Sequence, residues 1–354
     1  MTRAAGPTTN TRDGQAAGPR DGGTGAERAA DRRGRGRASR AETLFHDDFG
    51  EGFDMERLWD VPPLDDMVTD ASPYGLTVTP ARTDPVTGRP VFSRTADGDA
   101  VAAGAGDHIK WVALTRGPDG RRGFAVPSDQ RIECSTALSS LSFGGDRHPF
   151  GAAVQDSESD VRLATAAVIT MDPVSHSVFD FVLTNSRVYA LYERVPSPGS
   201  AYASFSYAVP VADRTPEQWH RLTVAVEAGG TRVVWRADDE EVLAVDRIGH
   251  RLPDRRHMLL DHGGKEGEPV RLGRLVCGIG LLTMLDGAGP DGRGLVRLHP
   301  GPGHYFSPRE GAPVPQEFVD SDSREESRSW GAGAVLRVRE MTVRAAMDSP
   351  DRGA

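Results

Sequence analysis

Two acidic residues, Asp180 and Glu193, fall in a stretch whose pattern can bring them together. In "SHSVFDFVLTNSRVYALYERVP", residues 175–196, apolar positions alternate on both sides of Asn185-Ser186. A two-residue turn at that dipeptide folds the stretch into a hairpin. Thr184 then faces Arg187, Val182 faces Tyr189, Asp180 faces Leu191 and Val178 faces Glu193. Strand side chains alternate, so all of these share one face. The opposite face holds Phe179, Phe181, Leu183, Val188, Ala190 and Tyr192, and the pattern assigns it to the core. On the mixed face Asp180 and Glu193 are diagonal neighbours, roughly 7–8 Å apart at the backbone, with carboxyls about 5–6 Å apart. That range overlaps the spacing of a retaining glycosidase pair, which makes Asp180 and Glu193 the catalytic candidates. The same pair suits a cation, or two acceptors for a polar ligand. Tyr189 could stack on a sugar or another flat ligand. Arg187 could bind a carboxylate or neutralise Asp180. Antiparallel sheets often leave one face wet with this same mixture, so a plain solvated surface competes with both readings.

Other candidates are scattered. "HRLPDRRHMLLDHGG" places His250, His257, Asp261 and His262 close together, but the spacing matches no metal motif. Asp261-His262 could act as an acid–base pair near a groove, and His262 is taken as a ligand-binding candidate. His299, His304 and Tyr305 lie in the Gly/Pro-rich segment 299–316, where Tyr305 could line a pocket. Asp65, Asp66 and Asp70 in "LDDMVTD", and "DSESD" at 156–160, read as polar loops. No Gly-rich phosphate loop and no Gly-x-Ser-x-Gly elbow is found. No motif names a reaction, and no metal or cofactor is expected.

The elements that must carry these residues are strands. "YGLTVTPA", "GDHIKWVALT", "RIECSTALSSL", "RLATAAVITM", "AYASFSYAVPV", "WHRLTVAVEA" and "TRVVWRADDEEVLAVD" alternate, the last as a hairpin turning at Asp238-Asp239. "WHRLTVAVEA" has a slip near His220. "RLVCGIGLLTML" is a continuous apolar run, and "AVLRVREMTV" closes the chain. Many short strands between Gly, Pro, Asp and Asn turns indicate a sandwich or barrel, with no helix longer than two turns.

The early "FHDDFGEGFDMERLW" and the later "EQWHRLTVAVEAGGTRVVWRADDEEVLAVD" resemble the concanavalin A-like jelly roll of lectins and glucanases, over about residues 44–285. The chain also resembles an actinobacterial family of this fold. The resemblance implies an all-β jelly-roll β-sandwich that holds its ligand on the concave face of one sheet. Family-16 glucanases carry acidic residues at alternate positions of one strand, which this sequence lacks. Fold alone grants no function.

The chain has 354 residues and a net charge of -9. Residues 1–42 hold nine Arg against five Asp or Glu, a surplus of +4, which leaves -13 on the rest. An acidic body repels phosphate backbones, so nucleic acid is not an expected partner. The first 42 residues lack large apolar side chains and read as a disordered arm, with a jelly-roll domain over 43–346 and a flexible tail over 347–354. No apolar run reaches membrane-spanning length. No apolar h-region follows Arg32-Arg33, and the chain is expected to be cytoplasmic. Cys134 and Cys277 read as buried free thiols. The functional expectation is a small-molecule- or glycan-binding protein, in the role of an accessory protein of specialised metabolism. The alternative is an enzyme on a glycan or similar polar substrate, using the carboxylate pair. An interaction module built on the Arg-rich arm is a third reading.

Overall fold

The structure is a computed structural model that describes residues 41–92, 109–299, 301, 304–308, 314–322, 324 and 330–347. The expected arm lies outside these residues except for its last two, as does the expected tail after Met347. The description below concerns the unit from Arg40 onward.

Twenty strands build two large sheets, and sixteen of them carry the description that follows. They are β1 (Glu42–Asp47), β2 (Met67–Ser72), β3 (Gly75–Pro80), β4 (Ile109–Thr115), β5 (Gln130–Phe143) and β6 (Ala164–Asp172). Then follow β7 (Ser177–Val178), β8 (Phe181–Leu183), β9 (Arg187–Arg194), β10 (Phe205–Asp213) and β11 (His220–Glu227). Last come β12 (Arg232–Ala237), β13 (Glu240–Val245), β14 (Met258–Asp261), β15 (Arg274–Thr283) and β16 (Gly333–Met347). The eight-stranded sheet runs β13-β12-β11-β5-β16-β3-β2, with β1 also on β16. The core of the twelve-stranded sheet runs β4-β15-β6-β7-β9-β10-β14, with β8 between β6 and β9. The chain passes back and forth between the sheets, and every pairing within them is antiparallel: the fold is an all-β jelly-roll sandwich. Among the described residues the helical content is two 3-10 turns.

Aromatic residues hold the sheets together. Trp59 is stacked on Phe49 and edge-on to Phe45, at 5.9 and 5.3 Å, and its indole N–H donates to Asp47 at 2.7 Å. Deeper in, Phe179, Tyr192 and Trp235 pack together, and the Trp235 N–H donates to the Asp180 carbonyl at 3.0 Å. A buried Trp or Tyr is stable only where its polar tip finds such a partner.

The phase of the strands explains two irregularities. His220 opens β11 on its inward parity with Leu222, Val224 and Val226; Trp219 precedes the strand. The slip read near His220 is therefore only the strand's start. In β16, a bulge at Arg339 lets Leu336 and Val338 face inward before it and Met341 and Val343 after it. Gly75 sits against this bulge with φ +118°, and a Cβ there would lie 2.0 Å from the Val338 carbonyl oxygen. The 238–239 turn has φ values of +51° and +71°, the left-handed pair that a tight hairpin needs.

The continuous apolar run of β15 reflects burial on both sides. Leu275, Cys277, Ile279 and Leu281 enter the core between the sheets. Val276 and Leu282 join a second apolar cluster on the far face, with Val112, Leu114, Ile169, Val182 and Leu191. A strand buried on both faces loses its alternation.

Candidate functional site

The hairpin register agrees with the sequence reading: Val182 pairs with Tyr189, and Val178 with Glu193. The turn is different in kind. Neither Asn185 nor Ser186 takes positive φ. Asn185 instead uses its side chain, which accepts from the Ser142 N–H at 2.7 Å and donates to the Ser142 carbonyl at 3.1 Å and to Glu158 at 2.8 Å. Buried Arg214 braces the turn from below. Its guanidinium donates to the Thr184 and Ser140 carbonyls. Among the described residues no carboxylate bonds to it, and desolvation lowers its pKa to about 10.

Asp180 lies on the far face of the large sheet, between β7 and β8, and is 5% exposed. Its Oδ1 accepts the Thr170 N–H at 2.7 Å, a ladder donor that would otherwise go to the Phe179 carbonyl. The Thr170 hydroxyl takes that carbonyl instead. Asp180 thus completes the β6 ladder where the backbone pairing parts. Burial first, and the charge of Glu193 after it, push its carboxyl well above the usual range. Its neighbours at alternate positions, Val178 and Val182, are aliphatic and buried. The mixed face is therefore neither a wet surface nor an open groove floor: around Asp180 it is a second apolar core.

Glu193 is half-buried and accepts from the Ser206 hydroxyl. Tyr189 packs on the second cluster, and its hydroxyl donates to the Ser159 carbonyl at 2.6 Å, tying the 156–163 loop to the sheet. Burial raises its pKa to about 12. Arg187 pairs with Asp213 at 3.2 Å at the solvent edge, so it does not neutralise Asp180.

His262 and Tyr305 come together elsewhere. His262 lies 4.9 Å from His304 and 6.0 Å from Tyr305, ring to ring, and His304 is stacked on His299 at 3.8 Å. Tyr305 is buried against Phe318, and its hydroxyl accepts from the His299 N–H at 2.7 Å. Tyr305 also lines a small concavity of about 380 Å³ with Arg293, Arg297 and Gln316. Asp261 is no partner for His262. It is fully buried and held by Arg251 at 2.6 Å, by Arg255 at 3.6 Å and by the Gly263 N–H. Among the described residues no His, Cys, Asp and Glu cluster is arranged to hold a metal ion.

A larger concavity lies on the outer face of the other sheet. Arg131 and Glu133 of β5, Arg221 and Glu227 of β11, Arg232 and Arg236 of β12, and Glu340 and Arg344 of β16 line a groove of about 960 Å³. Asp239, Asp246, Ser135, Thr223 and Thr342 complete its polar wall. The charges form a lattice. Glu133 pairs with Arg131 at 3.0 Å and Arg236 at 3.3 Å, and Arg236 continues to Glu227. Arg232 meets Glu227 at 3.7 Å, Glu241 at 3.1 Å, and Asp246. Arg221 meets Glu340 at 3.1 Å, and the Thr223 hydroxyl donates to Ser135 at 2.9 Å. The acids raise the pKa of Arg232, with its hydrogen bond to Asp246 the largest cause.

Residues 46–347 match the model of a family of unknown function (DUF6081). The chain belongs to that family. It is 26% identical over 240 residues to uncharacterized protein L829 of Acanthamoeba polyphaga mimivirus, covering 51% of this chain and 54% of that protein. The chain thus spans about half the length of this curated relative. Among solved structures it is similar to the endo-β-1,3-glucanase of Pyrococcus furiosus, with a TM-score of 0.43, 11% identity, and coverage of 88% of this chain and 97% of that one. A Bacteroides ovatus mixed-linkage glucan GH16 protein, in complex with its product, gives 0.42 and 10% identity, covering 84% and 99%. The Crh5 transglycosylase in complex with NAG gives 0.38 and 12%, covering 88% and 86%. Overlap of this extent carries nothing about chemistry, which has to be read from this chain's own side chains.

Proposed function

We propose that the protein binds a neutral, hydroxyl-rich ligand of the glycan class along the arginine–carboxylate groove of the eight-stranded sheet, without cleaving it. The observation that supports this reading is the balance of the groove, whose lining holds five Arg and five Asp or Glu. Guanidinium and carboxylate groups are planar, two-pronged donors and acceptors, and their hydrogen bonds are the strong ones. Neighbouring hydroxyls of a sugar match both kinds at once. An anion would meet five carboxylates, and a cation five guanidinium groups. Four strands about 4.8 Å apart give a bed about 14 Å across, enough for a short oligosaccharide. Titration of the full chain with neutral oligosaccharides of graded length, by calorimetry and by amide chemical shifts, tests this. Shifts confined to β5, β11, β12 and β16 support the groove; no heat and no shift with any of them sinks it.

A second reading is favoured by one observation, the raised pKa of Asp180 beside Glu193. A carboxyl raised by burial beside a second acid is the arrangement that suits a general acid in glycoside cleavage. This reading needs the apolar face over Asp180 to open. If Asp180→Asn and Glu193→Gln both leave reducing-end release from a glycan substrate intact, it is wrong. The proposed compartment is the cytoplasm, with an accessory role in specialised metabolism, and fractionation of cells carrying the tagged chain tests the location.

A further inference from the structure

A sheet edge with unpaired backbone groups is a template for a further strand, and folded chains blunt such edges with short strands, bulges, proline or charge. The edges of this sandwich differ in that respect. The twelve-stranded sheet ends in two-residue strands, Trp59–Asp60 and Val314–Pro315. In the eight-stranded sheet β13 carries Glu240 and Glu241 and is flanked by Asp239 and Asp246. β1 has Glu42 and Asp47 at its ends and a bulge between Thr43 and Phe45. β2, at the other end of this sheet from β13, has none of these guards. Its six residues include one charge, Asp70, and no proline. Among the described residues no strand pairs with its outer side.

The pairing of β2 with β3 fixes which groups face outward. The Ala81 N–H donates to the Asp66 carbonyl at 2.9 Å, so 66 and 81 form a hydrogen-bonded pair. Such pairs alternate along an antiparallel ladder, which makes Val68–Thr79, Asp70–Thr77 and Ser72–Gly75 the bonded pairs to β3. Met67, Thr69 and Ala71 therefore turn their N–H and C=O groups to the free edge. Met67 and Ala71 pack their side chains on the core, while Val68 and Asp70 are exposed. Large apolar side chains collect along the same edge. Val68 is 56% exposed, Leu64 ahead of the strand 44%, and Tyr74 at the hairpin tip 88%.

We propose that two copies of the chain pair antiparallel through β2 into one continuous sheet. A two-fold axis at Thr69 sets Met67 opposite the partner's Ala71 and Thr69 opposite the partner's Thr69. All three outward-facing residues of each copy then bond, about six backbone hydrogen bonds in all. The axis sets Asp70 opposite the partner's Val68 and brings Tyr74 toward the partner's Leu64. The fit of β2 to itself is what names a second copy as the occupant. This register uses every outward backbone group of Met67, Thr69 and Ala71, keeps like charges off directly opposed positions, and covers apolar side chains with apolar ones. No residue lining the charged groove lies on β2 or β3, so the groove stays open in the pair.

Sedimentation velocity of the full chain over a range of concentrations tests this. A species of twice the chain mass that dissociates on dilution is expected. Thr69→Pro removes the central outward N–H without touching a bond to β3, and should leave a folded monomer. Val68→Asp sets a carboxylate opposite the partner's Asp70 in two symmetry-related places, and should raise the dissociation constant about tenfold. Val68→Lys sets an opposite charge there and should not. A wild type that stays monomeric at every concentration overturns the proposal. So does a dimer that Thr69→Pro leaves intact, or one that Val68→Asp leaves as tight as Val68→Lys. The two variants at exposed Val68 decide the matter even if Thr69→Pro does not fold.

Discussion

Asp180 shows how one residue can have the right spacing for catalysis and be used for folding. Its carboxyl satisfies the Thr170 N–H where the ladder between β6 and the hairpin opens. An unsatisfied buried donor costs about 1–3 kcal/mol, so Asp180→Ala should destabilise the protein by about that much in urea unfolding. Asp180→Asn keeps the acceptor and should behave differently. The folded-state pKa lies above the unfolded value of about 3.9. Between those two values the unfolded chain has lost its proton while the folded chain holds it, so the wild type loses stability as pH rises. The Asn variant lacks that slope. It should match the wild type near pH 4 and exceed it at pH 8; a variant less stable at pH 8 would mean that the carboxyl is ionised in the fold. Tyr189→Phe removes the bond to the Ser159 carbonyl and should cost about 1 kcal/mol, with faster amide exchange in the 156–163 loop as its local sign.

The hairpin was legible as an element because its core face is unbroken from Phe179 to Tyr192, and that alone sets the register. Its other face was not. Val178, Val182 and Leu191 sit among Asp180, Arg187 and Glu193, and alternation cannot tell a wet mixture from an apolar layer with a few polar inserts. The run "RLVCGIGLLTML" carried the missing signal, since a strand buried on both sides implies a second core on the far face. The β16 bulge was also visible, as a parity break between Val338 and Met341. Gly75 beside that bulge combines a positive φ with no room for a Cβ. Gly75→Ala should therefore cost about 1–3 kcal/mol in thermal or urea unfolding, and a neutral result would mean that β3 is not held against β16 as described.

Over the whole molecule, a sandwich or barrel followed from strand count and turn chemistry, and the jelly roll from the family resemblance, whereas the groove followed from neither. Its side chains come from four separate strands, and in each one charged residues occupy the positions that alternation assigns to solvent. "RIEC", "RLTVAVE", "RVVWR" and "REMTVR" look ordinary singly; only the sheet order sets them side by side. The groove is charge-balanced, on a chain whose net charge is -9. Binding there should be nearly insensitive to salt, because a neutral ligand displaces no counterion, while an anionic ligand would weaken steeply as the Debye length shrinks. Arg236 bridges Glu133 and Glu227 at the middle of the lattice. The most direct measurement is calorimetric titration of the wild type, Arg236→Ala and Asp180→Asn with the same neutral oligosaccharide at low and high salt. The account predicts binding that Arg236→Ala weakens about tenfold, the loss of one charge-assisted bond, and that neither Asp180→Asn nor salt alters. Binding that survives Arg236→Ala and disappears with Asp180→Asn would contradict it and move the site to the opposite sheet.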